Sequence, residues 1–271
     1  MIPSQAAASL PDALRCLGAG GYNGVRQIHI LCFHPPADTI RVMTTDLIVA
    51  LDFSTAEAAM KLVDRLDGSV RNFKVGKELF VAEGPAVIRQ LRTKGFEVFL
   101  DLKFHDIPNT VARACAEAAK LGARWCTLHA SGGTDMMRAA RDSIASISPR
   151  PLLLAVTVLT SLDDAGLKEI GVDHTAAGQV LHLARLAKAS GMDGVVASVN
   201  EAQMIREEIG GQFLIVTPGV RSAAGQADDQ RRTATPREAA KAGADFIVVG
   251  RPITGAPDPR TAAEKIRQEL V

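Results

Sequence analysis

The chain has 271 residues, of which 47% are hydrophobic and only 4% aromatic, and its formal net charge is +1. This length suits one large α/β domain or two small ones, and the near-neutral charge argues against a nucleic-acid partner. No apolar run approaches the roughly 18 residues that cross a bilayer, so we expect no membrane partner either.

The first 42 residues differ in composition from the rest. They are rich in Ala, Gly and Pro and lack a sustained periodicity, and Met43 stands just before the first apolar run. We interpret residues 1–42 as a poorly ordered extension that the chemistry does not need, and residues 43–271 as the folded domain. A transit peptide is the alternative, although the segment contains little serine.

After Met43, short apolar runs alternate with helix-like stretches. Most of the runs are almost continuously apolar, as strands buried on both faces are. The predicted strands are Leu47–Asp52, Asn72–Gly76, Phe96–Leu102, Trp125–His129, Leu152–Val158, Gly194–Ser198, Phe213–Gly219 and Phe246–Gly250. Predicted helices between them include Ser54–Asp67, Pro85–Lys94, Pro108–Leu121, Thr175–Ser190 and Thr235–Ala242.

Two helix starts have the spacing of a capping box, Ser54 with Glu57 and Thr235 with Glu238. Repeated strand-then-helix units predict a single-domain (β/α)8 TIM barrel in the α/β class. A doubly wound sheet is the alternative, but no G-x-G-x-x-G follows the first strand. In a TIM barrel the active site lies at the carboxyl ends of the strands, so we expect the polar residues there to converge on one rim.

The run D-L-K-F-H-D-I-P-N-T, residues 101–110, follows the third apolar run. Side chains alternate along a strand, which predicts that Asp101 and Lys103 point the same way. Asp106 follows beyond the strand. A carboxylate, an ammonium and a second carboxylate at one strand end favour proton transfer beside a developing charge.

This ten-residue run resembles the signature of the orotidine 5′-phosphate decarboxylases, and the resemblance covers roughly residues 46–265. It implies decarboxylation of orotidine 5′-monophosphate to uridine 5′-monophosphate in pyrimidine biosynthesis, with neither cofactor nor metal. Lys103 would protonate C6 of the pyrimidine. The catalytic residues it implies are Asp101, Lys103, Asp106 and Lys74.

The resemblance also implies a set of substrate-binding residues. These are Asp52 and Lys74 at the ribose, Thr160 near the pyrimidine, Arg221 and Gln230 at the phosphate, and Thr110. Gly250 and Arg251 are predicted to bind the phosphate from their place after the eighth strand, since glycine permits close backbone approach and arginine is permanently charged. Asp106 and Thr110 match residues that reach the neighbouring subunit's site, which implies a homodimer with shared active sites. The polar loop 220–235, which contains Arg221 and Gln230, is interpreted as a lid.

Two other functions stay open. A magnesium-dependent sugar-phosphate decarboxylase or aldolase of the same barrel superfamily shares the D-x-K-x-x-D spacing, and a catalytically silent nucleotide-binding barrel belongs to a different class.

The four cysteines show no C-x-x-C spacing, which argues against structural zinc and favours a reduced, cytoplasmic protein. His129 could ligate a metal, but a structural hydrogen bond is the favoured interpretation.

Overall fold

The computed structural model describes residues 45–221 and 234–271. The predicted extension, residues 1–42, lies outside the described residues. So do Gln230 and most of the predicted lid.

Eight parallel strands form a closed barrel in sequence order, with the last strand paired to the first. The strands are β1 (Asp46–Ala50), β2 (Asn72–Val75), β3 (Glu97–Phe104), β4 (Trp125–His129), β5 (Leu152–Val156), β6 (Gly194–Val196), β7 (Leu214–Thr217) and β8 (Phe246–Val249). Each of them overlaps one of the eight predicted apolar runs. The predicted (β/α)8 barrel is therefore confirmed.

Helices follow the strands and form the outer layer. They are α1 (Ala56–Leu66), α2 (Lys77–Glu83), α3 (Ala86–Thr93), α4 (Pro108–Lys120), α5 (Gly133–Ile144), α6 (Asp164–Glu169), α7 (Ala176–Ala189), α8 (Val199–Ile209), α9 (Pro236–Lys241), α10 (Arg251–Thr254) and α11 (Pro259–Gln268), with a short 3₁₀ helix at Ala130–Gly132. Within the described ranges, none of these helices is both long enough and apolar enough to cross a bilayer.

The apolar residues divide into two layers. The larger core lies between the strands and the helices, where the outward side chains of the sheet meet one face of each helix. A smaller core fills the inside of the barrel and consists of Ile48, Ala50, Phe99, Trp125, Leu154, Leu214, Val216 and Val248. This inner core closes the barrel beneath the strand ends, so a ligand there meets a packed floor rather than a pore.

One of the two predicted capping boxes is confirmed. Thr235 and Glu238 exchange both hydrogen bonds of the box at the start of α9. The prediction at Ser54 was wrong, because Thr55 is the N-cap of α1 and accepts a hydrogen bond from the backbone N–H of Ala58. Two adjacent hydroxyl residues made either position plausible from the sequence, and the cap lies one residue later.

Strand β3 is irregular where the signature run begins. It continues to Phe104, two residues past the predicted end, and its register with β4 shifts between Leu100 and Phe104. Over that interval β3 advances by four residues while β4 advances by two, from Cys126 to Leu128. Lys103 lies in this bulge with φ 53, the only non-glycine residue with positive φ among those described. The regular alternation predicted for this segment was therefore wrong.

Candidate active site

A cavity of about 1000 Å³ opens at the carboxyl ends of the strands. Eight of the predicted site residues line it, namely Asp52, Lys74, Asp101, Lys103, Thr160, Arg221, Gly250 and Arg251. They come from six of the eight strand ends, which the barrel closure brings to one rim. The structure brings these eight residues together at one rim, as predicted.

Asp101 and Lys103 form an ion pair at the cavity wall. Lys103 Nζ lies 2.6 Å from Asp101 Oδ2, and their side chains are only 26% and 12% exposed. The two groups meet through the bulge and the left-handed backbone of Lys103, not through regular strand alternation. A charged pair sheltered in this way interacts more strongly than it would in open water.

Thr127 on β4 holds both members of this pair. Its Oγ1 donates to Asp101 Oδ1 at 3.0 Å and accepts from the backbone N–H of Lys103 at 2.9 Å. The residue is completely buried. One hydroxyl therefore fixes the carboxylate and the backbone that carries the ammonium.

The environment of Asp101 favours its ionised form. Burial acts to raise the pKa of this carboxyl, but the positive charges of Lys103 and Lys74 and the hydrogen bonds from Lys103 and Thr127 outweigh burial. The pKa of Asp101 therefore lies below the usual aspartate value. At neutral pH the cavity presents a carboxylate beside an ammonium.

Lys74 forms a second ion pair with Asp52. Its Nζ lies 2.8 Å from Asp52 Oδ1, and the lysine side chain is 13% exposed whereas the aspartate is 59% exposed. Gly76 makes room for this pair, because a Cβ at that position would lie 3.0 Å from Lys74 Nζ and 3.5 Å from Asp52 Oδ1. The pair presents one accessible carboxylate edge to the cavity.

Two arginines and two glycines lie at the carboxyl ends of β7 and β8. Gly219 turns the chain after β7 with φ 78, a conformation that L side chains rarely adopt, and Arg221 follows it. Gly250 directly follows β8 and is the N-cap of α10, which begins at Arg251. A Cβ at Gly250 would lie 3.6 Å from Asp52 Oδ2, so the missing side chain leaves cavity volume next to the Asp52 carboxylate.

Asp106 and Thr110 do not line the cavity of their own chain. Both are exposed, and Asp106 Oδ1 accepts a 2.6 Å hydrogen bond from the backbone N–H of Ile107. Ile107 itself is 67% exposed at the start of α4. Gln230 lies outside the described residues.

His129, at the end of β4, is half-buried and neighbours His105, with ring centroids 5.2 Å apart. Burial lowers the pKa of His129 to about 4, and the nearby charges of His105, Lys103 and Lys77 act in the same direction. His129 is therefore neutral at physiological pH. Within residues 45–221 and 234–271, no group of three His, Cys, Asp or Glu side chains is placed to hold a metal ion.

Sequence reasoning missed several residues of the cavity. Its apolar wall includes Phe99, Val156, Val158, Val196 and Val248, and Glu78 lines its edge. The valines carry no sequence signal, because they look like any other residue of a buried strand. Sequence reasoning also missed Thr127, which holds the Asp101–Lys103 pair without lining the cavity; it did carry a signal, since it is the polar residue in the middle of the apolar run W-C-T-L-H.

Comparison with known proteins shows the family of the chain. Residues 45–266 match the Orotidine 5′-phosphate decarboxylase / HUMPS family. The chain therefore belongs to this family. The match spans the entire barrel, and the resemblance noted in the signature run is confirmed.

Individual relatives are similar over nearly their full length. Orotidine 5′-phosphate decarboxylase of Saccharophagus degradans is 51% identical over 224 residues, which cover 83% of this chain and 94% of that protein. The Laribacter hongkongensis protein of the same name is 55% identical over 224 residues, covering 83% and 92%. The crystal structure of orotidine 5′-phosphate decarboxylase from Lactobacillus acidophilus superposes with a TM-score of 0.75 at 43% identity and covers 83% of this chain and 99% of its own.

Proposed function

We propose that this chain decarboxylates orotidine 5′-monophosphate to uridine 5′-monophosphate without a cofactor. The observation that carries the proposal is the sheltered Asp101–Lys103 pair at 2.6 Å in the cavity of a barrel from this family. The relatives are named for this decarboxylation, and the carboxylate and ammonium of the pair are groups suited to it.

The reaction needs a positive charge and a proton at one carbon atom. When the bond between C6 and the carboxylate breaks, its electron pair stays on C6 as a carbanion with little resonance delocalisation. The Lys103 ammonium, held in place before the reaction, stabilises this charge and then transfers a proton from Nζ to C6. Carbon dioxide leaves, and the product is uridine 5′-monophosphate.

Asp101 acts on the other side of the breaking bond. Its carboxylate is ionised and lies beside Lys103, so the substrate carboxylate would approach it closely. Two like charges about 4 Å apart repel by roughly 4 kcal/mol at an effective dielectric constant near 20. This repulsion disappears when carbon dioxide leaves, while the attraction between Asp101 and Lys103 keeps the ammonium aimed at C6.

The rest of the cavity binds the nucleotide. We assign the ribose hydroxyls to Asp52 and Lys74, and the pyrimidine edge to Thr160. We assign the phosphate to Arg221, Arg251 and the backbone at Gly250, because permanent positive charge and close backbone approach suit an anion. Gln230 belongs to the proposed lid over the phosphate.

The test is the loss of orotidine 5′-monophosphate absorbance with purified protein in excess EDTA. We expect turnover by the wild type, none by Lys103→Ala, and full turnover by Lys120→Ala, a surface substitution in α4 that removes the same charge. Turnover that vanishes in EDTA and returns with magnesium would overturn the cofactor-free reaction. Absence of turnover by the wild type in either condition would leave a silent nucleotide-binding barrel.

We further propose a cytoplasmic homodimer with shared active sites. Asp106 and Thr110 lie on an exposed surface with Ile107, outside their own chain's cavity, so a second copy is needed to bring them to a site. The exposed isoleucine suits a subunit interface. Both described cysteines, Cys115 and Cys126, are buried free thiols, as in proteins of a reducing compartment.

Mixing two inactive variants tests the shared site. Lys103→Ala removes a group from a protomer's own cavity, and Asp106→Ala removes one from its partner's. After unfolding and refolding together in equal amounts, about half of the dimers contain one of each, with one intact site of two, so about a quarter of wild-type activity returns. Each variant refolded alone stays inactive. No recovery, with mixed dimers verified by mass, would contradict the proposal.

A further inference from the structure

The hydroxyl of Thr127 occupies an unusual position in the described structure. It is completely buried on β4, beside the bulge of β3, and it forms one hydrogen bond with Asp101 and one with the backbone of Lys103. Other buried threonines of the barrel use their hydroxyls differently. Thr45 and Thr157 donate to the backbone carbonyls of Ala244 and Val196.

We propose that Thr127 is a positioning residue, whose hydroxyl sets the geometry of the Asp101–Lys103 pair from below. The proposal rests on the proposed decarboxylation and assigns no contact between Thr127 and the substrate. Its side chain does not line the cavity, so it acts only through the two residues that do.

The physical reason lies in the backbone of Lys103. With φ 53 this residue is in the left-handed region, which is unfavourable for any residue with a Cβ, and such conformations persist only where their surroundings hold them. The bulge has also removed Lys103 from the regular ladder with β4. The bond from Lys103 N–H to Thr127 Oγ1 replaces the missing ladder bond and satisfies this donor.

The second bond orients the carboxylate. Asp101 has two oxygens, and Thr127 donates to Oδ1 while Lys103 Nζ contacts Oδ2. A hydroxyl can donate once and still accept, so threonine can hold both partners at once. Valine has the same shape but can do neither, and serine keeps the hydroxyl without the methyl group.

The experiment compares steady-state kinetics of Thr127→Val, Thr127→Ser and the control Thr45→Val with the wild type. Thr45 is also a buried threonine, but its hydroxyl bonds to Ala244 at the amino end of β1, away from the cavity. For Thr127→Val we expect kcat to fall roughly ten- to hundredfold, equivalent to about 1.4–2.8 kcal/mol of activation free energy. The KM and the affinity for uridine 5′-monophosphate should change less than threefold, because the ribose and phosphate contacts remain.

Thr127→Ser should recover most of the lost kcat, and Thr45→Val should keep the wild-type kcat. A Thr127→Val protein with wild-type kcat, or a kcat loss that serine fails to recover, would overturn the proposal. If Thr127→Val does not fold, as judged by circular dichroism, the same comparison is made between Thr127→Ala and Thr127→Ser, and equal kcat values would overturn it. Failure of the proposed function is separate, because it would appear as absent turnover in the wild type.

Discussion

The backbone of Lys103 leads to an unusual expectation for stability. At most strand positions alanine is more stabilising than glycine, because glycine loses more conformational freedom on folding, by about 0.5–1 kcal/mol. At φ 53 a residue with a Cβ is unfavourable by about 1–2 kcal/mol, and glycine is not. Lys103→Gly should therefore unfold with a free energy about 0.5–1 kcal/mol larger than that of Lys103→Ala. Both variants should lack activity, since neither has the proposed proton donor.

Urea unfolding followed by fluorescence measures this difference. Trp125, the single tryptophan of the sequence, is buried on β4 beside the bulge and reports the loss of barrel packing. Glu97 gives the matched control, because it starts the same strand at a regular position and both of its variants lose the same ion pairs. There the alanine variant should be the more stable one. If alanine also exceeds glycine at Lys103, the left-handed backbone and the reasoning built on it are wrong.

Three further predictions concern the cavity and its surroundings. Gly76→Ala should displace Lys74, whose Nζ would lie 3.0 Å from the new Cβ, and should raise the KM for the nucleotide about tenfold. The control Gly211→Ala has open space around its Cβ and should leave the kinetics unchanged. Equal KM values for the two variants would contradict this prediction. Arg251→Ala should lower kcat as well as raise KM, because phosphate binding energy organises the reacting end, and a raised KM with unchanged kcat would refute the link. His129 has its pKa lowered to about 4 in the folded state, so the unfolded chain takes up this proton first and stability falls as pH drops from about 6.5 towards about 4. His129→Gln should reduce this loss of unfolding free energy by about 1–2 kcal/mol, a value discounted for the half-exposed ring. Urea unfolding of the wild type and the variant at pH 7 and pH 4.5 measures it, and an equal loss in both proteins would contradict the role of the ring.

The fold could be predicted from the sequence because each strand is a short apolar run and most are followed by a helical pattern. A strand buried on both faces is a short, almost continuously apolar run, and all eight strands were predicted from such runs. The rim residues followed from the fold, since a parallel barrel gathers its strand ends by closure. Among the eight residues that line the cavity, Asp52, Thr160, Arg221, Gly250 and Arg251 follow a strand, whereas Lys74, Asp101 and Lys103 lie within β2 and β3.

The remaining features depend on contacts between strands. The register shift between β3 and β4 arises from two extra residues on one strand, and no local pattern around Leu102 marks it. Thr127 and Asp101 are 26 positions apart in sequence, so their bond could not be inferred without the register. Alternation predicted the right neighbours for the wrong reason, because Lys103 reaches Asp101 from a left-handed backbone.

The site is arranged for charge placement and not for stability. A sheltered ion pair stabilises a fold little, since the cost of removing two charges from water offsets most of their attraction. The left-handed backbone of Lys103 adds a further cost, and the bulge removes regular pairing from the strand. All three unfavourable features lie at the carboxyl end of β3, while the two apolar cores around it are continuous. Their common product is an ammonium whose position is set before substrate arrives, which is the condition under which a fixed charge lowers the barrier to a localised carbanion.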